Sequence, residues 1–362
     1  MDAVIPAQAG IQSAFHEQHL VWIPACAGMT RTSVVMYNSK CVILTPDLIG
    51  GQGDNHKLHA LINLILPLLL MVASSSRGSD VIAVDEQSIA ELGRRAETTV
   101  WKGCSIVWQA RIRADMADTT HDSLKTGMIG VEFTPITTTL GYENAKELST
   151  RPGWASWIVD QLVRRGVKAG DKVAVSMTGS FPGLNLAVLA ALQELDVEVR
   201  GISSVGSSSW GANEPGFTWP EIEGYLQSQD VLRVGSGAIT FGGTGDRGLE
   251  WSESETAIAA EVVRKSGLPL LKPRHLRDAV ERRMLFYGKP KKYKALINIG
   301  GGAATLGGGA KLRFVRGGWF DEPLGLHGSP NGVMDIFLKA GVPCLNLLYL
   351  DDMNRRYGII KQ

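Results

Sequence analysis

Hydrophobic positions along the chain follow two rhythms. Between residues 85 and 115, Ile89, Leu92, Ala96, Val100, Val107 and Ala110 recur at spacings of three, four and seven among charges, which predicts one amphipathic helix. After a polar loop at 121–126, short apolar runs alternate with helical patterns. Strands are predicted at 128–134, 172–178 (with the buried run Val173-Ala-Val-Ser176), 198–203, 295–299 and 343–348. Helices are predicted at 152–165, with Pro152 in the first turn, and at 183–195, 273–286 and 331–340. Ser252-Glu-Ser-Glu255 is a capping box that opens a further helix. Repeated β-α-β order predicts an α/β domain over 85–359: a Rossmann-like, mostly parallel sheet with helices on both faces.

The first 57 residues lack any such rhythm. Val4-Ile-Pro-Ala-Gln-Ala-Gly10 returns as Trp22-Ile-Pro-Ala-Cys-Ala-Gly28, an echo that resembles a translated dispersed repeat element. Residues 1–57 are therefore expected to be a repeat-derived or disordered leader. Next comes the apolar run Leu58–Ala73, followed by Ser74-Ser-Ser76. A spanning helix needs about 20 apolar residues, and a signal-peptide core about 7–15 with small residues at its end. Residues 58–76 are thus expected to be a transmembrane anchor or a signal segment. The α/β domain would then lie outside the cytoplasm, anchored to the membrane or secreted into a periplasm or beyond.

Composition narrows the function classes. The 362 residues are 44% hydrophobic and 20% charged, with a formal net charge of +1. Such a balance gives no global field for nucleic acid, and no nucleic-acid partner is expected. The four Cys show no metal-ligand spacing, and Cys104 and Cys344 are expected to be free buried thiols. The His residues of the domain (His121, His275, His327) are unpaired in sequence, so no metal site is expected. No Walker A motif, no dinucleotide fingerprint and no GxSxG elbow occurs, and no cofactor is expected. Gly166–Val175 looks like the early βαβ unit of acyl-adenylating ligases, but the Pro-Lys phosphate loop of those enzymes is missing.

Gly, at 42 residues, concentrates with hydroxyl and amide residues in the loops after predicted strands. These loops are Thr134–Thr139, Thr178–Asn185, Ser203–Asn213, Phe241–Asp246 and Asn298–Gly302. In an open α/β sheet, successive loops of this kind meet at one edge. Thr137, Thr178, Ser180, Asn185, Ser208, Asn213, Thr244, Asp246 and Asn298 are therefore expected to line one crevice. Their hydroxyls, amides and neighbouring backbone N–H groups suit a carboxylate or phosphate, with the helix after Ser180 adding a favourable dipole. Turn formation alone also enriches these residue types.

Several longer strings resemble the poly-γ-glutamate system protein family. They are Met128-Ile-Gly-Val-Glu-Phe-Thr-Pro-Ile-Thr-Thr-Thr-Leu-Gly141, Gly179-Ser-Phe-Pro-Gly-Leu-Asn-Leu-Ala-Val188, Ser203–Pro215, Asn298-Ile-Gly-Gly-Gly302 and Tyr357-Gly-Ile359. The resemblance covers about residues 85–359. At its end the family continues past Tyr-Gly-Leu-Pro, where this chain has Ile359-Ile-Lys-Gln362. The resemblance implies an anchored or exported accessory protein of poly-γ-glutamate capsule synthesis. Its partners would be the polymer and the synthase and export components. No catalytic residue carries over. A bottom-up feature points the same way: the basic residues Lys272, Arg274, Arg277, Arg282, Arg283, Lys289, Lys291, Lys292 and Lys294 would attract a carboxylate polymer. A solvated helix face and a Lys-rich turn give the same pattern. The alternative function is a hydrolase or transferase on γ-glutamyl bonds, for which Thr178, Ser180, Asn213 and Asp246 are the residues to test. A third class is a small-ligand binding module.

Overall fold

The computed structural model describes residues 33–37, 40–44, 85–325 and 328–360. The echo at 4–28, the apolar run at 58–76 and His327 lie outside the described residues. The chain divides into two units, Met1–Val81 and Ile82–Gln362. In the first, β1 (Ser33–Tyr37) and β2 (Lys40–Leu44) pair antiparallel, with Met36 opposite Cys41.

The second unit begins with α1 (Glu86–Arg113), whose first turn is capped by Asp85 accepting from Gln87 N–H. Then follow β3 (Thr137–Thr139), α2 (Glu143–Ser149), α3 (Gly153–Arg164), β4 (Lys172–Ser176) and α4 (Pro182–Glu194). Next come β5 (Glu198–Ser204), β6 (Ser207–Ser208), α5 (Trp219–Ser228), β7 (Ser236–Thr240), α6 (Glu253–Ser266) and α7 (Leu276–Tyr287). The unit closes with β8 (Ala295–Ile299), the one-turn α8 (Ala303–Leu306) and α9 (Lys311–Phe314), β9 (Gly318–Phe320), α10 (Val333–Lys339), β10 (Cys344–Leu347) and α11 (Leu350–Tyr357).

Six strands form one sheet in the order β7-β5-β4-β8-β10-β9. All pairs are parallel except β10 with the edge strand β9. Strand alternation supplies both faces. Val173 and Val175 of β4 join a core with Val100 and Val107 of α1, Ile158 of α3 and Leu186 of α4, whereas Ala174 joins Val280 of α7 and Phe337 of α10 on the other side. Helix α4 is buried from Pro182 to Gln193, as expected for a helix apolar on all sides. The predicted Rossmann-like α/β sheet, covered on both faces, is the observed architecture.

One predicted strand is corrected. Residues 128–134 run as irregular backbone, and the strand falls at β3 instead. The segment is held by two backbone bonds to Trp210 and by a side chain: Val131 N–H donates to Asn213 Oδ1 at 3.2 Å, and Asn213 Nδ2 donates back to Val131 O at 2.7 Å. Gly130 passes so close that a Cβ there would lie 2.1 Å from Gly211 O. Beyond this knot β3 pairs with β6 in a separate parallel ladder, Thr137 with Ser207 and Thr139 with Ser208. Both Cys104 and Cys344 are free and buried, as expected.

Candidate functional site

The chain leaves β4 outward through β5 to β7, then returns to the opposite side of β4 for β8 and β10. The strand order therefore reverses between β4 and β8, where Ser176 stands beside Asn298. Ligands of open α/β sheets gather beyond the carboxyl ends of strands at such a reversal. A cavity of about 550 Å³ opens there.

Six of the nine predicted residues line it: Thr178, Ser180, Ser208, Thr244, Asp246 and Asn298. Thr137, Asn185 and Asn213 do not. Asn213 is fully buried in the knot described above and donates to Thr137 Oγ1 at 3.0 Å. Asn185 lies inside α4 and donates to Thr178 O at 2.7 Å, which ties the loop after β4 to the helix. These three shape the loops from behind.

Each lining residue is positioned by its own loop. The Thr178 hydroxyl accepts from Ser180 N–H at 3.1 Å, turning the chain into α4. Ser180 Oγ accepts from Ser208 N–H at 3.0 Å, joining the loops after β4 and β5. Gly300 follows β8 at φ +84°, a left-handed backbone that suits glycine, and its carbonyl accepts from Asn298 Nδ2 at 2.8 Å. Thr244 N–H donates at 2.7 Å to Glu250, an exposed carboxylate at the rim.

Asp246, also left-handed at φ +66°, turns inward. Its carboxylate accepts two bonds from Arg283, at 2.7 and 3.0 Å, with both side chains nearly excluded from water. Arg283 also donates to Ser176 Oγ at 3.1 Å, and Ser176 Oγ lies 2.7 Å from Thr305 Oγ1. This network forms one wall of the cavity. Arg283 thus belongs to the interior and not to the basic face predicted over 272–294, where Lys272, Arg274, Arg277, Lys289, Lys291, Lys292 and Lys294 are exposed.

The opposite wall holds Lys146 of α2, which is 2% exposed. Its Nζ donates to Ser180 O, lies 2.7 Å from Ser208 Oγ and sits 4.0 Å over the Phe181 ring. The carboxylates of its own helix are engaged elsewhere. Glu143 lies 2.7 Å from His121 Nδ1, a hydrogen bond that raises the His121 pKa, and Glu147 bonds Arg151 at 3.0 Å. Burial with no compensating carboxylate pushes the Lys146 pKa down to about 7.

Lys146 and Arg283 were the residues missed in the sequence. Arg283 carried a signal: it stands four positions after Ala279, three after Val280 and four before Tyr287, all buried on the same stripe of α7. Lys146 carried none, since a lysine within Glu143-Asn-Ala-Lys-Glu147 reads as a solvated helix charge. Among the described residues no cluster of His, Cys, Asp and Glu could hold a metal ion. Fold and site together define a doubly wound α/β protein with a polar crevice at its switch point. The chain matches no family model and no curated protein.

Proposed function

We propose that the protein is an accessory component of poly-γ-glutamate production, and that the switch-point crevice holds a carboxylate-bearing glutamyl group. The observation that carries the ligand class is the wall chemistry. Hydroxyls of Thr178, Ser180 and Ser208, the Asn298 amide and the Gly301–Gly302 backbone line the cavity, together with a buried lysine that has no carboxylate partner among the described residues. Arg283 is already neutralised by Asp246, so the hydroxyls, the amide and the backbone N–H groups are left to hold an incoming carboxylate. The capsule setting rests on the sequence resemblance, and the exposed basic residues of 272–294 would collect polymer in a salt-dependent manner. Anchoring or export rests on the apolar run 58–76.

A calorimetric titration with a γ-glutamyl oligomer tests the binding claim. Wild type binds, and Ser180→Ala weakens binding by about 1–3 kcal/mol, the scale of a lost hydrogen bond to a charged group. Absence of any binding by wild type would reject it.

A further inference from the structure

Among the described residues two lysines are almost fully buried, and their surroundings differ. Lys311 bonds Asp335 Oδ2 at 2.7 Å and Asn331 Oδ1 at 3.0 Å, the full pairing that a buried structural ammonium needs. Lys146 has only neutral partners: the Ser180 carbonyl, the Ser208 hydroxyl at 2.7 Å and the Phe181 ring. An unpaired ammonium in such a place is costly, and the neutral amine is the form that burial favours. That form has two N–H groups and one lone pair. One N–H satisfies Ser180 O, and the lone pair is left to accept the Ser208 hydroxyl proton.

The rest of the geometry serves the same hydroxyl. Ser208 is fixed by the β3–β6 ladder and by its own N–H on Ser180 Oγ. Gly141 packs against it, and a Cβ on that residue would lie 2.9 Å from Ser208 Oγ, so only a residue without a side chain fits beside the hydroxyl, which is 6% exposed. Both Ser208 and Lys146 line the 550 Å³ cavity. A serine hydroxyl within hydrogen-bond reach of a buried amine that lacks a carboxylate is the arrangement of a nucleophile and its base.

We propose that the crevice is an acyl-transfer centre in which Ser208 is the nucleophile and Lys146 its general base, acting on an amide or ester. The identity of the acyl group as glutamyl rests on the reading given above; the chemistry does not. Ser208 Oγ adds to the acyl carbon while its proton passes to Lys146 Nζ. The C–N or C–O bond to the leaving group then breaks, and the leaving amine or alcohol takes that proton. Water, or an amine in a transfer reaction, adds to the acyl-serine through the same lysine, and the proton returns to Ser208 as the ester bond breaks. No oxidant, metal or cofactor enters the balance.

The test treats the full-length protein with an alkyl fluorophosphonate and reads intact mass, peptide maps and rate against pH. One adduct on Ser208 is expected, with a rate that rises through about pH 7 as Lys146 loses its proton. Ser208→Ala abolishes the adduct. Lys146→Met, which keeps a similar volume, slows labelling by about 10²–10⁴-fold, the usual contribution of a general base, with an unchanged circular dichroism spectrum. Should the methionine variant not fold, the adduct position and the pH profile of wild type still decide. No adduct between about pH 6 and 9, an adduct on Ser180 or elsewhere, or a labelling rate that ignores pH and Lys146 would overturn the proposal. Labelling without glutamyl binding would leave the acyl chemistry standing and remove only the glutamyl assignment. Binding without labelling would do the reverse.

Discussion

Lys146 shows how much of a site can rest on one side chain. Its pKa of about 7 lies below the ordinary lysine value of 10.5. Between these values the unfolded chain binds more protons than the folded one, so stability rises with pH across that window. Below about pH 7 the full cost of a buried, unpaired ammonium is present. Lys146→Met should therefore stabilise the fold at about pH 6, by an amount on the order of 2 kcal/mol once the lost hydrogen bonds are offset. The gain should vanish between about pH 8 and 9, where the falling cost of the ammonium equals that of the lost hydrogen bonds, and reverse by about pH 10. Thermal melts of both proteins across that range check this; a variant less stable at pH 6 would mean that Lys146 holds the fold together. A residue that costs stability in a cavity wall is more at home in function than in architecture. The sequence could not reveal it, because the burial of Lys146 comes from loops distant in the chain, those after β4 and β5. Arg283, by contrast, was legible from the apolar stripe of α7, had periodicity been weighed above the local run of charge.

At the scale of elements, most of the regular helices and parallel strands were readable; helix α5 and the parallel strand β7 were not, and neither were the short or side-chain-held pieces. Helices α1, α3, α4 and α6 and strands β4, β5, β8 and β10 follow apolar patterns that local sequence carries, and they fall within a few residues of expectation. The segment 128–134 has strand composition but pairs only briefly, Gly130 and Val131 bonding the Trp210 backbone while the Asn213 amide takes the remaining Val131 groups. Helix α2 is seven residues long, too short for a period to show. Six lining residues were foreseen because they sit at strand ends; Asn185, Asn213 and Thr137 share that composition, but their side chains turn toward the scaffold. The loop 242–246 makes its own demand. It carries Asp246 in a left-handed turn to meet Arg283, both side chains being nearly excluded from solvent. Asp246→Asn keeps a residue that tolerates this backbone but leaves a buried guanidinium without its counter-charge. A loss of about 3–5 kcal/mol in denaturant melts is expected. A change within experimental error would show that the pair contributes nothing to holding the loop.

For the whole molecule, the two proposed features act on different ranges. The exposed cations of 272–294 work through long-range attraction that salt screens. The crevice would act through directed hydrogen bonds to one group. Among the described residues no helix is long and apolar enough to cross a membrane, and the run 58–76 lies outside them. A reporter fused after Arg77 should appear outside the cytoplasm, and a soluble cytoplasmic reporter would remove the export proposal. The central claim is that a glutamyl ligand is held at the reversal between β4 and β8. Hydrogen-exchange protection on adding a γ-glutamyl oligomer tests it most directly. The account predicts new protection in the backbone of 141–146, 178–183, 206–208 and 300–305, at moderate salt. Protection confined to 272–294, or none at all, would contradict it.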